Sequence, residues 1–178
     1  MNLHADCYTK KDIRFRTTVK LLDKYGPPVH PILNIGDANL FLDDLEYEYG
    51  DCVTTYGNLN GDRWRPRKEL KYDTVFCFEI IEHLMSPWMM LDRLIYWINK
   101  DTDVFITYPR RIELFWTDHH FHEYSRKRFL HMIDDCGYKV INYEWHWFPV
   151  WSFKGIRPIL RLTPLGMIRN QFYKLRLK

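Results

Sequence analysis

The chain has 178 residues, of which 46% are hydrophobic and 28% are charged, a composition typical of one globular domain with a hydrophobic core. This composition excludes a disordered chain, a collagen-like chain and a disulfide-rich scaffold. No run of 18 or more uncharged apolar residues occurs, so the sequence predicts no transmembrane helix.

The four cysteines, Cys7, Cys52, Cys77 and Cys136, lie far apart and form no C-x-x-C pair. This spacing indicates neither a zinc knuckle nor a disulfide framework, and no apolar signal segment precedes the cysteines. We therefore expect a reducing, cytoplasmic environment.

The net charge of +3 is unevenly distributed. Residues 145–178 contain seven Lys or Arg and no Asp or Glu, so the remaining 144 residues carry a net charge of −4. We divide the chain into a domain over residues 1–150 and a basic, aromatic-flanked C-terminal extension over 151–178. Tryptophans followed by basic amphipathic sequence suit an anionic membrane surface, and the same charges suit RNA phosphates. Alternatively, the extension packs back on the domain as a last strand or helix. Because Pro149, Pro158 and Pro164 break any long helix, we expect it to be partly packed and partly interfacial.

Predicted helices and strands alternate along the chain. In chain order they are a helix over 10–24, a strand over 31–36, a helix that ends at Gly50, a strand over 52–56, a loop over 58–71, a strand over 72–79, a helix capped by Ser86-Pro87, a strand over 103–108 broken by Pro109, a helix capped by Ser125 and a strand over 138–143. The buried stripe of the helix after Ser86 is predicted to be Trp88, Leu91, Leu94, Ile95 and Ile98. The alternation predicts an α/β fold, with helices on both faces of the sheet.

Ligands of such folds bind at the carboxyl ends of the strands, and three predicted strand ends carry suggestive residues. The first is the turn from Asn34 through Gly36 to Asp37, where a glycine lets the backbone approach a ligand at a helix N-terminus. A glycine in such a turn also has a purely steric explanation. Cofactor binding and turn geometry therefore both remain open at this position.

The second strand end carries Glu79, Glu82 and His83 in an otherwise apolar passage. Such groups must be solvated in a cleft, hydrogen-bonded or bound to a cation, because burying them alone is costly. The simplest alternative is that the carboxylates cap backbone N–H groups. The third is the segment from Asp118 to Tyr124, in which three histidines fall within four residues and could act as ligands, as a general base or as solvated polar groups.

The order of these features resembles the class I S-adenosylmethionine-dependent methyltransferases, particularly the type 11/12 group. This resemblance implies a Rossmann-like, open, mostly parallel sheet of five to seven strands in a single domain. The resemblance covers residues 30–144, and its strongest part is the pattern D-x-V-x-x-x-E-x-x-E-H-L from Asp73 to Leu84. It implies that Asn34, Gly36 and Asp37 surround the methionine part of the cofactor and that Asn58 replaces the usual ribose-binding acid, with Asp62 as the alternative. Phe78 and Glu79 would border the pocket. Ala38 and Leu40 stand where further glycines are usual, which keeps a degenerate binding or scaffold protein as an alternative.

The expected reaction is methylation of an oxygen or nitrogen on a small-molecule, sugar or lipid-linked acceptor. His83 or His119 would take or orient the proton, and Glu79 and Glu82 would orient the imidazole. The Glu-x-x-Glu-His and Asp-His-x-Phe strings also resemble RNA 2′-O-methyltransferases that bind a divalent ion. In that alternative, Glu79, Glu82, His83 and His119 would bind Mg²⁺ or Mn²⁺. The metal-free interpretation is the one we favour from the sequence.

Overall fold

Four helices, seven strands and two 3₁₀ turns are formed by the residues that the computed structural model describes, namely 13–36, 40–61, 63–110, 121–122, 124–149 and 167–178. In chain order they are α1 (Ile13–Tyr25), β1 (Ile32–Asn34), α2 (Leu40–Tyr49), β2 (Cys52–Tyr56), β3 (Arg65–Pro66), β4 (Tyr72–Phe78), the turn Ile81–His83, α3 (Pro87–Leu94), the turn Ile95–Trp97, β5 (Ile98–Arg110), α4 (Arg126–Asp135), β6 (Tyr138–Pro149) and β7 (Met167–Leu177).

All seven strands form one sheet with the order β3-β2-β1-β4-β5-β7-β6. Strands β2, β1, β4 and β5 run parallel to one another, whereas β7 is antiparallel to both β5 and β6, and the two-residue β3 is antiparallel to β2. The predicted Rossmann-like, mostly parallel sheet in a single domain is thereby confirmed.

Helices cover both faces of the sheet, as predicted, because successive strand residues alternate between two cores. Phe76, Phe105 and Phe172 face the core that contains side chains of α1 and α2. The next residue along each of these strands lies in the other core, with side chains of α3 and α4; these are Cys77, Ile106 and Tyr173. Fully apolar strands such as β4 are therefore explained by burial on both faces.

Strand β5 continues through Pro109 to Arg110, so the predicted break at Pro109 is wrong. The carbonyl of Thr107 accepts the N–H of Glu79, so Thr107 directs its backbone groups toward β4. Two residues later, Pro109 faces the same side. Because β4 has already ended at Phe78, the N–H that proline lacks has no strand to pair with there.

Helix α3 ends at Leu94, before Ile95 and Ile98, the last two residues of its predicted apolar stripe. Leu91 and Leu94 are buried as predicted, but Trp88 and Ile95 are exposed by 49% and 36%, and Ile98 is buried as part of β5. The 3₁₀ turn over Ile95–Trp97 breaks the helical spacing, which turns Ile95 outward. Ser86 and Pro87 begin α3 as predicted, but the Ser86 side chain accepts no capping hydrogen bond. At the start of α4, the Ser125 side chain does cap the helix by accepting the N–H of Arg128.

Residues 167–177 of the C-terminal extension form β7 in the interior of the sheet, so this part packs as a strand.

Four of the seven basic residues of residues 145–178 lie in the described range, and each contacts another residue of the chain. Lys174 and Arg176 both bind Asp103 at 2.7 Å, Lys178 binds Asp134 at 2.7 Å, and Arg169 stacks on Trp145. The other three, Lys154, Arg157 and Arg161, lie outside the described residues. Among the described helices, none is long and apolar enough to cross a membrane.

Candidate functional site

The predicted site residues that the structure describes come together at one edge of the sheet. Because β2, β1 and β4 are parallel and in register, with Asn34 opposite both Thr54 and Phe76, their carboxyl ends meet there. This edge carries Asn34 at the end of β1 and Gly36 after it, Asn58 after β2, and Glu79 after β4. Three predicted site residues lie outside the described residues, namely Asp37, His119 and the alternative ribose-binding acid Asp62.

The turn after β1 requires glycine for two reasons. Gly36 has a φ of +119°, and a Cβ atom at this position would lie 3.1 Å from Cδ1 of Ile80. Its N–H donates to the Thr55 hydroxyl at 2.9 Å, which ties the turn to the end of β2. Asn34 is buried with 7% exposure. The glycine therefore allows β1 and the chain after β4 to approach closely, and the backbone of the turn is fixed by Thr55.

Asn58, the proposed substitute for the ribose-binding acid, is exposed beyond the end of β2. Its side-chain oxygen accepts the N–H of Asn60 at 2.9 Å, a local turn that fixes the orientation of its amide. Gly57 allows this turn: its φ is +88°, and a Cβ there would meet backbone atoms of Arg63 and Trp64 at 3.1 Å.

Glu79 has the most unusual backbone at this edge. Its φ of +55° is left-handed, a conformation that is uncommon outside glycine and often found at functional sites. The carboxylate holds the residue in place, because one oxygen accepts hydrogen bonds from the Thr107 hydroxyl at 3.0 Å and from Asn170 Nδ2 at 3.1 Å. Its backbone N–H also donates to Thr107. The preceding Phe78 is buried and stacks on Phe76.

Thr107 and Asn170 were missed at the sequence level. Thr107 is the next-to-last residue of a predicted strand, so the strand-end argument applied to Glu79 could have found it. Asn170 gave no such signal, because the sequence assigned it to an extension, whereas the structure pairs it with Pro109 on β5.

Glu82 and His83 lie on the 3₁₀ turn after β4 and differ sharply in exposure. The Glu82 side chain is 1% exposed and that of His83 is 26% exposed, and Oε1 of Glu82 lies 3.8 Å from Nε2 of His83. Burial raises the pKa of Cys77 and of Tyr124, and the carboxylate of Glu82 raises both further. Glu82 thus lies on the α3–α4 side of the sheet beside these two residues, and it can orient His83, the more exposed of the pair.

The two motif strings of the sequence are brought together by backbone hydrogen bonds. The N–H groups of Phe121 and His122 both donate to the carbonyl oxygen of Glu82, at 2.8 and 3.2 Å. The His122 ring lies on the following turn, with Nε2 3.1 Å from the carbonyl oxygen of Met85. The chain two residues beyond His119 is therefore anchored directly on the Glu82-His83 turn.

Comparisons with known proteins agree with this architecture. No family model matches the sequence, and the search of curated proteins found no match. Solved structures do match. A SAM-dependent methyltransferase from Archaeoglobus fulgidus has a TM-score of 0.57 and 11% identity, covering 90% of this chain and 94% of that chain. Coclaurine N-methyltransferase bound to N-methylheliamine and SAH has a TM-score of 0.59 and 11% identity, covering 90% and 72%. The chain has the class I methyltransferase fold.

The same fold also hosts other chemistry. The [4+2]-cyclase SpnF matches with a TM-score of 0.59 and 10% identity, and it covers 96% of this chain and 85% of that chain. At identities near 10% these similarities establish the architecture, and the reaction must be argued from the residues of the site.

The polar groups at the carboxyl edge of this methyltransferase fold suit S-adenosylmethionine. The cofactor carries an ammonium, a carboxylate and two ribose hydroxyls. Helix α2 begins at Leu40, four residues after Gly36, and the N–H groups of a helix N-terminus suit a carboxylate. The Glu79 carboxylate suits an ammonium group, and the Asn58 amide suits a hydroxyl.

The residues of this methyltransferase fold suit a divalent metal less well than they suit S-adenosylmethionine. Within the described ranges, no three His, Cys, Asp or Glu side chains group as metal ligands. Glu79 bonds to Asn170, which shares a cavity with Thr17 and Thr18 of α1, whereas Glu82 is buried with Cys77 on the opposite face. The predicted metal set is therefore not assembled from Glu79, Glu82 and His83.

Proposed function

We propose that this protein is an S-adenosylmethionine-dependent methyltransferase that acts on an oxygen or nitrogen of a small-molecule, sugar or lipid-linked acceptor. The observation that carries the proposal is the polar cluster at the carboxyl edge. The left-handed Glu79, held by Thr107 and Asn170, faces the same edge as the Gly36 turn. Strain of about 1–3 kcal/mol at a non-glycine residue persists where the surrounding structure fixes it, which is typical of functional sites.

The residues have distinct roles in this proposal. The cofactor supplies an activated methyl group, and the protein aligns the acceptor atom with it. His83 takes or orients the acceptor proton because an imidazole titrates near neutral pH. Glu82 is a positioning residue, since its buried carboxylate reaches His83 at 3.8 Å. The anchoring of Phe121 and His122 on Glu82 supports the proposed second contribution from His119.

Cofactor binding is the direct test of this proposal. We expect S-adenosylmethionine and S-adenosylhomocysteine to bind in calorimetric titrations, and Gly36→Ala to weaken binding of both at least tenfold. The alanine Cβ would press on Ile80 from a left-handed backbone and displace the turn.

Gly61→Ala is the matched control, because its Cβ would meet only the Asn58 carbonyl, at an ordinary 3.4 Å. We expect this variant to keep wild-type affinity. If neither compound binds the wild-type protein at millimolar concentration, the methyltransferase proposal fails and the degenerate scaffold takes its place.

The metal-dependent RNA alternative is favoured by one observation, the docking of the 121–122 segment on Glu82. It makes a separate prediction, because a site with Glu82 and His119 ligands would bind Mn²⁺ at micromolar to millimolar concentration. We expect electron paramagnetic resonance to show no saturable Mn²⁺ binding by the wild-type protein. Saturable binding that Glu82→Gln removes, and that the exposed variant Glu69→Gln keeps, would reverse the order of the two functions.

Contact with an anionic membrane remains a separate proposal. Its support is the composition of residues 151–166, which carry Lys154, Arg157 and Arg161. Lys174 and Arg176 of β7 do not add to this support, because both are paired with Asp103 within the fold.

A further inference from the structure

Two arginines at the carboxyl edge are stacked on aromatic rings. The guanidinium carbon of Arg126 lies 4.3 Å from the ring centre of Tyr143, and that of Arg169 lies 3.9 Å from the ring centre of Trp145. A guanidinium above an aromatic face is attracted by the negative charge of that face. This contact holds each cation in place but supplies no oxygen acceptor for its N–H donors.

Neither arginine pairs with a carboxylate within the part of the chain that the structure describes. Elsewhere on β7 the cations are neutralised, since Lys174 and Arg176 both bind Asp103. The Nε atom of Arg169 is also buried without a hydrogen-bond partner. Two positive charges therefore lie at this edge with unused donors, whereas their neighbours on the same strand have anionic partners.

Gln171 adds a neutral donor that is more deeply buried. Its residue exposure is 1%, and its Oε1 accepts the Tyr143 hydroxyl at 2.8 Å. This hydrogen bond orients the amide, and the Nε2 atom is left buried with no partner. An unsatisfied buried donor costs about 1–3 kcal/mol, so a ligand that accepts from it gains that interaction.

These groups share one face of the sheet. Trp145 is directly opposite Gln171, and Tyr143 and Arg169 lie two residues away along their strands. Burial raises the pKa of Tyr173 to about 12, and the charges of Arg126 and Arg169 both oppose that rise, so both arginines are close to the same phenol.

The neighbouring carboxylate on β6 faces away from this group. Glu144 alternates with Tyr143 and Trp145, and it binds Lys24 of α1 on the other face of the sheet.

The group lies at the carboxyl edge of the sheet. Gln171 pairs with Tyr108 and Arg169 pairs with Arg110, the last residues of β5. The next residue of β7, Asn170, bonds to Glu79 from the opposite face of the strand. An anion held by the arginines would therefore lie near the edge at which methyl transfer is proposed, on the α4 side.

We propose that Arg126, Arg169 and the Gln171 amide bind an anionic group, a carboxylate or a phosphate, of the methyl acceptor. Two guanidiniums and one neutral N–H donor, without a carboxylate among them, match the acceptor-only oxygens of such a group. The assignment of the anion to the acceptor rests on the proposed function, but the anion site itself does not. The preferred acceptor is therefore an acidic metabolite or a phosphorylated molecule.

Titration calorimetry with inorganic phosphate and with acetate, at low ionic strength and without cofactor, tests the site. We expect saturable binding of at least one anion. Arg169→Gln and Arg126→Gln should each weaken that binding about tenfold, as the loss of one charge-assisted bidentate contact predicts. Arg126 is exposed, so its variant should fold even if Arg169→Gln does not.

Arg128→Gln is the matched control: it removes the same charge from the exposed face of the same helix, outside the two stacks. It should change anion affinity less than twofold. Preference for phosphate or for acetate identifies which anion the acceptor carries. The proposal is overturned if neither anion binds saturably, or if Arg128→Gln weakens binding as much as Arg126→Gln.

S-adenosylhomocysteine binding by Arg126→Gln separates the two proposals. If the proposed function is correct, the variant should keep cofactor affinity while it loses the anion. Anion binding without any cofactor binding by the wild-type protein would retain the anion site and remove the methyltransferase.

Discussion

A chain that ends at residue 166 should not fold cooperatively. Strand β7 is hydrogen-bonded to both β5 and β6, so its removal separates β6 from the sheet. It also removes Phe172 from one core and Tyr173 and Leu175 from the other. Full burial of each such side chain stabilises by about 1.5–3 kcal/mol, and the total stability of a domain is only about 5–15 kcal/mol. Circular dichroism during thermal unfolding should show no cooperative transition.

Deletion of Lys178 alone is the control. Its ammonium binds Asp134, but both side chains are largely exposed, so we expect the melting temperature to be nearly unchanged. A truncated chain that melts like the wild-type protein would contradict the position of β7.

The charge of the extension must accordingly be tested without truncation, by replacing Lys154, Arg157 and Arg161 with Gln and measuring sedimentation with anionic vesicles.

Asp103→Ala should lower the free energy of unfolding by about 3 kcal/mol. The Lys174 ammonium binds the Asp103 carboxylate at 2.7 Å, and their side chains are only 7% and 18% exposed. The same carboxylate binds Arg176 at 2.7 Å. Among the described residues, its removal leaves the buried ammonium with the Tyr25 carbonyl as its hydrogen-bond partner, and a buried cation without its counterion is strongly destabilising. Urea unfolding measures the change.

Glu69→Ala provides the comparison. Both side chains of the Arg65–Glu69 pair are exposed, so the pair should contribute less than about 0.5 kcal/mol to the free energy of unfolding. The pair Asp103→Leu with Lys174→Met should recover much of the lost stability, since it removes both charges together. If Asp103→Ala changes the free energy of unfolding by less than about 1 kcal/mol, the ion pair stabilises the fold less than expected.

Among the fold elements, the sequence predicted best those that local patterns define. The apolar run over 72–79 and the β-rich run over 52–56 became β4 and β2, and glycines ended the helices at Gly50 and Gly137. Such signals work because backbone conformation and burial impose periods on neighbouring residues. They failed at Pro109 and Ile95, where the outcome depended on where an adjacent strand ended and on a 3₁₀ turn.

The candidate site divides in the same way. Gly36, Glu79 and Glu82 could be selected from the sequence because they interrupt apolar strand ends, and parallel strands bring such ends to one edge. Thr107 and Asn170 hold Glu79, and this relation joins residues 91 positions apart. No periodicity connects residues that far apart along the chain.

The sequence by itself determined the α/β alternation, the mostly parallel sheet and the chemical groups at the ends of β1 and β4, because these depend on short-range patterning. The tertiary structure alone decided that β7 enters between β5 and β6. That insertion buries Lys174 against Asp103 and aligns Arg169 and Gln171 with the aromatic residues of β6. The physical reason is that a strand pattern specifies which face is apolar, whereas the choice of neighbouring strand follows from the summed packing and hydrogen bonding of the whole sheet.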